Sequence, residues 1–269
     1  MDSGRVRSAC GTTPKMSERW GRNTTMKDWV AYYDSNHSIY VNARHRDVHY
    51  ARLADAIVSY VPTRSAAVLD YGCGEAAHAG RVASAAGGLT LAEAGPAVRG
   101  RLIERFKGNP KIVVVSTERV ANMLPQSFDM VILHSVSQYL THQEFEHTAA
   151  MFHRLLQPNG LLVVGDVVPP RVSAVSDSWA LLRFGWRDGF LGAAILGLIR
   201  TLFSDYRRLR TTVGLTRYSE QEMASKLAAA GFTVTREPGN LGHLTTRMTF
   251  LARKEPAALR PEYPPLPAC

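Results

Sequence analysis

The chain has 269 residues, 45% of them hydrophobic, which is enough to bury the core of one large α/β domain. Its formal charge of +9 would suit nucleic acid or a membrane surface, but the arginines are scattered except at 207–210, so we expect no nucleic-acid partner. Three cysteines far apart in sequence argue against a disulfide framework and favour a reducing, cytoplasmic compartment.

The two ends of the chain differ in composition from the rest. Residues 1–28 are polar and lack the apolar centre of a secretory signal, and residues 255–269 are rich in proline. We expect both segments to be disordered, with Met16 or Met26 as alternatives to Met1 for the true start. The segment 29–254 is expected to form one domain, and no run in it reaches the roughly 18 apolar residues of a membrane span.

Short apolar runs alternate with amphipathic ones in the first half of this domain. The runs AAVLDYG, GLTLAEA, KIVVVS, FDMVILH and GLLVVGDVV predict five strands. Helices are predicted from about Glu75 to Ala86, over PAVRGRLIERF and over HQEFEHTAAMFHRLL. This alternation favours a parallel sheet with helices on both faces, in which ligands bind at the carboxyl ends of the strands.

The pattern changes after Pro170. A long, mostly helical and apolar segment precedes the helix SEQEMASKLAAAGF, for which we predict Ser219 as N-cap, Glu222 at the third position and Gly231 as the stop. Two β-rich runs, TVTREP and TTRMTFLAR, then predict an antiparallel pair of strands.

The stretch DYGCGEA, residues 70–76, predicts a ligand-binding turn after the first strand. Gly72 and Gly74 would let the backbone approach a ligand closely, and free N–H groups there suit an anion or a carboxylate. With Ala77 as a third position, the glycines also fit the dinucleotide fingerprint, so an NAD-dependent oxidoreductase is one alternative. Asp70, two residues before the first glycine, and the β-rich ending favour another cofactor.

Several segments taken together resemble the class I S-adenosylmethionine-dependent methyltransferases, over roughly residues 30–254. They are VLDYGCGEA, which is similar to the family's D-x-G-x-G motif, LTLAE, FDMVILH, LLQPNGLLVV and the closing AGFTVTREPGNLGHLTTRMTFLARK. The resemblance implies a Rossmann-like, doubly wound seven-stranded sheet, mostly parallel with an antiparallel last strand and a helical cover after strand five. It also implies an enzyme that transfers a methyl group from S-adenosylmethionine. A non-catalytic partner protein that binds the cofactor is a further alternative.

The resemblance places the cofactor residues at the carboxyl ends of the first four strands. They are Asp70, Gly72, Cys73, Gly74, Glu93, Ala94, Thr117, Glu118 and His134. Asp70 would orient the turn and the amino-acid part of the cofactor, and Glu93 would accept both ribose hydroxyls. Thr117 or Glu118 would lie near the adenine, and His134 near the methionine part.

Residues 32–50, before the first strand, are rich in aromatic and basic side chains. In the family such a segment closes over the cofactor, so the resemblance implies that Tyr40 and Arg44, together with Tyr33, cover the methionine carboxylate. A helix that packs on the edge of the sheet explains the same aromatic residues equally well.

The chemistry of methyl transfer rests mainly on collinear placement of nucleophile, methyl group and sulfur. A general base is needed only if the acceptor holds a proton at neutral pH. The polar residues placed to serve as a base are His134, Gln138, Tyr139, Asp166 and His243. His243 is preferred, although hydrogen bonding to loop backbone would also explain a histidine there. His45 and His49 share a helix face, but no third ligand stands at a fitting spacing, so we expect no metal.

The segment 176–210 lies where the family builds its substrate cover. Its aromatic residues are Trp179, Phe184, Trp186 and Phe190, and the run GAAILGLI follows. This composition favours a small, hydrophobic or lipid-like acceptor and peripheral contact with a membrane, with the arginines of 207–210 near headgroups. A helical core or a homodimer face would account for the same residues.

Overall fold

The computed structural model describes residues 24–34, 42–171, 174–189, 191–193, 195–196, 214–242 and 244–256. The strands are β1 (Ala67–Tyr71), β2 (Gly88–Ala92), β3 (Ile112–Val115), β4 (Phe128–His134), β5 (Leu156–Val167), β6 (Phe232–Arg236) and β7 (Met248–Lys254). They form one sheet in the order β3-β2-β1-β4-β5-β7-β6. Strands β1 to β5 pair in parallel, and β7 is antiparallel to both β5 and β6. The predicted doubly wound, seven-stranded α/β fold is confirmed.

The described residues form eight α-helices and one 3-10 turn. They are α1 (Thr24–Asp34), α2 (Ala43–Val58), α3 (Ala79–Ala85), α4 (Pro96–Phe106), α5 (Thr117–Ala121), the 3-10 turn Ser137–Tyr139, α6 (His142–Leu155), α7 (Ala174–Arg187) and α8 (Glu220–Ala229). Helix α1 thus begins inside the segment that the composition predicts to be disordered. No helix among the described residues is long and apolar enough to cross a membrane.

The core lies on both faces of the sheet because the central strands are apolar on both sides. One layer contains the predicted inner face of α6, with Phe145 and Phe152, together with Met223 and Leu227 of α8. The other layer packs α2, α3 and α4 on the opposite face, with Leu102 fully buried. Two covered faces are expected for a parallel sheet.

Two predicted helix boundaries are wrong. Helix α3 begins at Ala79 rather than near Glu75, because Ala76 has φ of 40°, outside the right-handed helical region. Helix α6 ends at Leu155, and Leu156 begins β5 by pairing with Phe128. The longer strand β5 therefore includes residues that the sequence assigns to a turn.

Helix α8 begins and ends as predicted. The Ser219 hydroxyl accepts the Glu222 N–H at 3.1 Å, and Gly231 follows the helix with φ of 97°. The Glu222 carboxylate does not return to the cap, since it lies 3.2 Å from Nδ1 of His142 on α6. The same side chain therefore links two helices on one face of the sheet.

Candidate functional site

The turn after β1 lies at the centre of the sheet, because β1 is flanked by β2 and β4. Gly72 and Gly74 have φ of 75° and 57°, in the left-handed region that favours glycine. A Cβ on Gly72 would lie 2.5 Å from Cγ2 of Val136, which follows β4. The Gly72 and Cys73 N–H groups both donate to the Ala92 carbonyl, at 2.8 and 3.2 Å. The turn is thus fixed to both neighbouring strands.

Helix α4 also holds this turn in place. The carboxylate of Glu75, which follows Gly74, accepts from Arg101 at 3.0 Å and from Arg105 at 3.3 Å. Arg105 additionally donates to the Glu75 carbonyl. The Tyr50 hydroxyl of α2 accepts the Glu75 N–H at 3.0 Å. The backbone after the glycines is therefore held from two sides.

Two carboxylates adjoin the turn. The two Glu93 oxygens accept the N–H groups of Gly74 and Gly95, each at 2.9 Å. Burial and, to a lesser extent, the nearby Glu93 carboxylate together raise the pKa of Asp70 to about 7. Burial also raises the pKa of Glu93, whereas the N–H groups of Gly95 and Gly74 oppose this rise. Such a pair favours a ligand that brings positive charge and hydroxyl donors.

Cys73 lies between the two glycines with its side chain buried. Burial raises the pKa of its thiol, and the Asp70 and Glu93 carboxylates raise it further. The sulfur is therefore held as a neutral thiol, which packs beneath the turn and does not act as a nucleophile.

A second group of polar side chains follows β4. His134 is buried between Gly165 of β5 and Gly242, since a Cβ on either glycine would lie within 3.3 Å of its ring. Neither ring nitrogen of His134 has a hydrogen-bond partner among the residues that the structure describes. The His49 ring of α2 lies 6.4 Å from it between centroids. Burial lowers the pKa of His134 to about 4, so the imidazole is neutral at physiological pH.

Asp166, near the end of β5, lies in a hydrogen-bonded network. Its carboxylate accepts from the Ser135 hydroxyl at 2.7 Å and from the Asn240 amide at 3.3 Å, and Arg247 Nε is 4.0 Å away. Burial raises its pKa, while Arg247, Ser135 and Asn240 oppose the rise. Ser135 and Asp166 both have positive φ, of 57° and 61°. The network joins the ends of β4 and β5 to the loop before β7.

Comparison with known proteins bears on this arrangement. Residues 69–164 match a family model described as a methyltransferase domain. This part of the chain is therefore similar to a methyltransferase domain. The matched range runs from β1 to β5 and includes the glycine turn and Asp70, Glu93 and His134.

Solved structures of methyltransferases share the fold. The N-methyltransferase NodS of Bradyrhizobium japonicum, in complex with S-adenosyl-L-homocysteine, has a TM-score of 0.52 at 17% identity, over 87% of this chain and 100% of its own. Magnesium protoporphyrin IX methyltransferase of Synechocystis, with the same bound product, has 0.52 at 15% identity, over 89% and 99%. A SAM-dependent methyltransferase from Leishmania major has 0.55 at 11% identity, over 85% and 82%.

These comparisons confirm the predicted resemblance to class I methyltransferases, and the family's use of S-adenosylmethionine agrees with the predicted cofactor. Neither the NAD-dependent oxidoreductase nor the non-catalytic partner protein finds support in them. No curated protein matches the sequence. The methyl acceptor is not determined by any of the matches.

The methyltransferase domain brings the remaining predicted residues to the same edge of the sheet. Ala94 follows Glu93, and its carbonyl accepts from Arg99 at 3.1 Å. Thr117 is buried in the first turn of α5, which follows β3, and Glu118 beside it is exposed. Their contact with an adenine ring stays a prediction.

Helix α1 covers this edge of the methyltransferase domain. At its end, Asp34 accepts the Ala97 and Val98 N–H groups of α4, at 2.7 and 3.0 Å. The hydroxyls of Tyr33 and Tyr139 are 2.5 Å apart, so the same helix also contacts the turn after β4. Helix α1 therefore spans from the β2 side to the β4 side of the glycine turn.

Arg44 lies on α2 and points toward α7. Its Nε donates to the Asp188 carbonyl at 2.8 Å, just beyond the end of α7. Tyr40 and His243, the other predicted cover residue and the preferred base, lie outside the described residues, as do the arginines of 207–210. Among the described residues no three His, Cys, Asp or Glu side chains are grouped as metal ligands.

Sequence reasoning missed several side chains around the glycine turn and the end of β5. Asp34, Tyr50, Ser135, Asn240 and Arg247 reach the site only through tertiary contacts, and none stands in a motif of its own. The one available signal was the loop sequence PGNLGHL, where glycine and asparagine mark a turn beside the strand ends.

Proposed function

We propose that this protein transfers a methyl group from S-adenosylmethionine to a small, lipid-like acceptor. The observation that carries the proposal is the pair of carboxylates, Asp70 and Glu93, beside the Gly72–Gly74 turn of a methyltransferase domain. When bound, S-adenosylmethionine supplies an electrophilic methyl group on a positively charged sulfur.

The charge of the site favours this cofactor over a dinucleotide. S-adenosylmethionine carries an ammonium and a sulfonium, which a cluster of carboxylates attracts, whereas the pyrophosphate of NAD is anionic and would be repelled. Glu93 provides two oxygens that can accept from a pair of ribose hydroxyls. In addition, α3 begins at Ala79, too far along the chain for its N-terminus to lie directly at the glycines, where a pyrophosphate would need it.

Isothermal titration of the purified protein with S-adenosylhomocysteine and with NAD tests the cofactor. We expect S-adenosylhomocysteine to bind and Glu93→Gln to weaken it by about ten- to hundredfold, because a charged hydrogen-bond acceptor is lost. Glu104→Gln is the matched control, since Glu104 is exposed on α4 and pairs with Lys107, the C-cap of the same helix. Binding of NAD without S-adenosylhomocysteine would overturn the proposal.

The lipid-like acceptor is supported by the apolar character of α7 and the residues after it. Trp179, Trp186, Leu191, Ile195 and Leu196 are all exposed. A transfer assay with tritiated S-adenosylmethionine on total lipid and aqueous extracts tests this point. We expect the label in the organic phase, and label confined to the aqueous phase would contradict a lipid-like acceptor.

An acceptor that carries an O–H or N–H would need to lose its proton. Asp166, His243 and His134 remain the proposed bases, and His134 is buried with no hydrogen-bond partner among the described residues. Asp166 is less suited, since Ser135 and Asn240 already occupy its oxygens. Burial lowers the pKa of His134 to about 4, which frees its ring nitrogens to accept a proton but makes the imidazole a weaker base than an exposed one.

A further inference from the structure

Helix α7 has an inner face that fixes it to α2. Phe184 is buried and packs with Val48 of α2, and the Arg52 guanidinium lies 5.1 Å from the centre of its ring. The His45 ring meets the same phenylalanine edge-on, at 5.6 Å between centroids. These contacts account for one side of α7 only.

The end of α7 is held by charge. The Asp188 carboxylate pairs with Arg52, and the Asp188 carbonyl accepts from Arg44. Because Asp188 is neutralised in this way, it does not offset the positive charge of the arginines on α7 itself. The helix is therefore held in one orientation relative to α2, which also carries His49 and Tyr50 of the site.

The outer face of α7, which we call the tryptophan face, consists of Trp179, Arg183, Trp186 and Arg187. The three- and four-residue spacings place Trp179, Arg183 and Trp186 along one side of the helix, with Arg187 at its border, opposite Phe184. Trp179 is 68% exposed and Trp186 74% exposed, and both arginines are exposed. Leu191, Ile195 and Leu196, which follow in sequence, are exposed as well.

Two exposed tryptophans on one helix face are costly to leave in water, because each offers about 150 to 250 Å² for burial. Arg183 and Arg187, which lie beside the two tryptophans, limit the kind of surface that can bind this face. A protein partner would have to desolvate both guanidinium groups, and in a two-fold dimer the arginines of both copies would meet and repel. At a bilayer surface, indole rings settle at the headgroup level while arginines pair with lipid phosphates.

We propose that the tryptophan face docks this protein on an anionic lipid surface. Charge complementarity selects the occupant, since the face carries two of the positive charges of a chain whose net charge is +9. Because the inner face of α7 packs on α2, docking through its outer face leaves α7 between the bilayer and α2, the helix that carries His49. The inference goes beyond methyl transfer, since binding to lipid needs neither cofactor nor acceptor.

Co-sedimentation of the full chain with vesicles tests this proposal. We expect binding to phosphatidylcholine vesicles that contain phosphatidylglycerol and about tenfold weaker binding to phosphatidylcholine alone. The double variant Trp179→Ala with Trp186→Ala should bind both kinds of vesicle about tenfold more weakly. Arg183→Gln with Arg187→Gln should remove the preference for the anionic lipid. Leu124→Ala, which truncates a 77% exposed residue elsewhere, is the matched control and should change nothing.

Thermal unfolding and titration with S-adenosylhomocysteine show whether each variant is folded, so a loss of fold is not mistaken for a loss of docking. The proposal would be overturned if the wild-type protein did not co-sediment with anionic vesicles. It would also be overturned if the tryptophan variants bound these vesicles as tightly as the wild type does. Light scattering that shows a wild-type dimer which the tryptophan substitutions dissociate would likewise overturn it. Failure of S-adenosylhomocysteine to bind would overturn the proposed function and leave the docking result standing.

Discussion

Gly72 occupies a position where its lack of a side chain has two separate consequences. Its φ of 75° is strained for any L-residue, and Val136 fills the space where a Cβ would be. Gly74 repeats the left-handed conformation, and Ala76, with φ of 40°, adopts it despite its methyl group. Alternate residues of the turn are thus left-handed, which turns the chain sharply away from β1.

Gly72→Ala should lower the free energy of unfolding by about 2 to 4 kcal/mol, because it adds both backbone strain and overpacking against Val136. Gly100→Ala is the matched control, because Gly100 lies in α4 with open space around it and should gain up to about 1 kcal/mol. Urea denaturation measures both. Equal effects of the two substitutions would show that the turn is not specified by glycine.

The residues found from sequence and those missed differ in a physical way. Asp70, Gly72 and Glu93 stand at fixed positions relative to strand ends, so local pattern and resemblance were enough to identify them. The approach of His49 to His134 depends on how α2 packs across the sheet, which no local spacing encodes. Asp34 was missed for the same reason, because its partners are backbone N–H groups 63 and 64 positions away.

At the scale of elements, α1 is held at its C-terminal end by two anchors. The Asp34 carboxylate accepts the first free N–H groups of α4, and the Tyr33 hydroxyl meets that of Tyr139. Trp29 of the same helix is buried against Tyr139, at 4.7 Å between ring centroids. The anchors lie on opposite sides of the glycine turn, so loss of either should loosen the cover of the site.

Asp34→Ala should lower the free energy of unfolding by about 1 kcal/mol, the usual effect of losing a capping carboxylate, and should weaken S-adenosylhomocysteine binding several-fold. Ser219→Ala removes a cap of similar strength from α8, which packs against the edge strand β6, and serves as the control. Denaturation and calorimetry on both variants separate the two effects. Equal binding by both variants would mean that α1 does not contribute to the site.

Element boundaries were harder to predict than the elements themselves. The apolar runs predict all seven strands. The start of α3, in contrast, was predicted too early, because alanine strongly favours helix and Ala76 lies before the true first turn. Its left-handed conformation follows from the turn that Gly72 and Gly74 begin, not from its own propensity. The tertiary structure overrides the local preference at that residue.

At the scale of the whole molecule, two buried groups make stability depend on pH in opposite directions. The pKa of His134 falls to about 4 in the folded state, so the unfolded chain binds more protons between about pH 4 and 6.5. Stability from this residue is therefore lost as the pH falls through that window. The pKa of Asp70 rises to about 7, so its contribution is lost as the pH rises from about 4 to 7.

We expect the two slopes to offset each other in the wild type. In Asp70→Asn the free energy of unfolding should rise with pH more steeply than in the wild type between about pH 4 and 6.5. In His134→Asn it should rise less steeply than in the wild type, or fall. Each variant's slope should differ from the wild-type slope by at most about 1.4 kcal/mol per pH unit. Urea denaturation across this range, with each variant compared to the wild type, cancels the other titrating groups. Parallel profiles in all three proteins would contradict the burial of these charges.

The sheet order also constrains how the molecule forms. β7 is the last strand among the described residues, yet it lies between β5 and β6, and within the described part of the chain it provides every strand pairing that β6 makes. During synthesis β6 therefore cannot join the sheet until residues 248–254, which form β7, have left the ribosome. The Asn240 and Arg247 contacts with Asp166 form only when that strand inserts. A nascent chain is thus expected to build the glycine turn after β1 first and to complete the hydrogen-bonded network around Asp166 last.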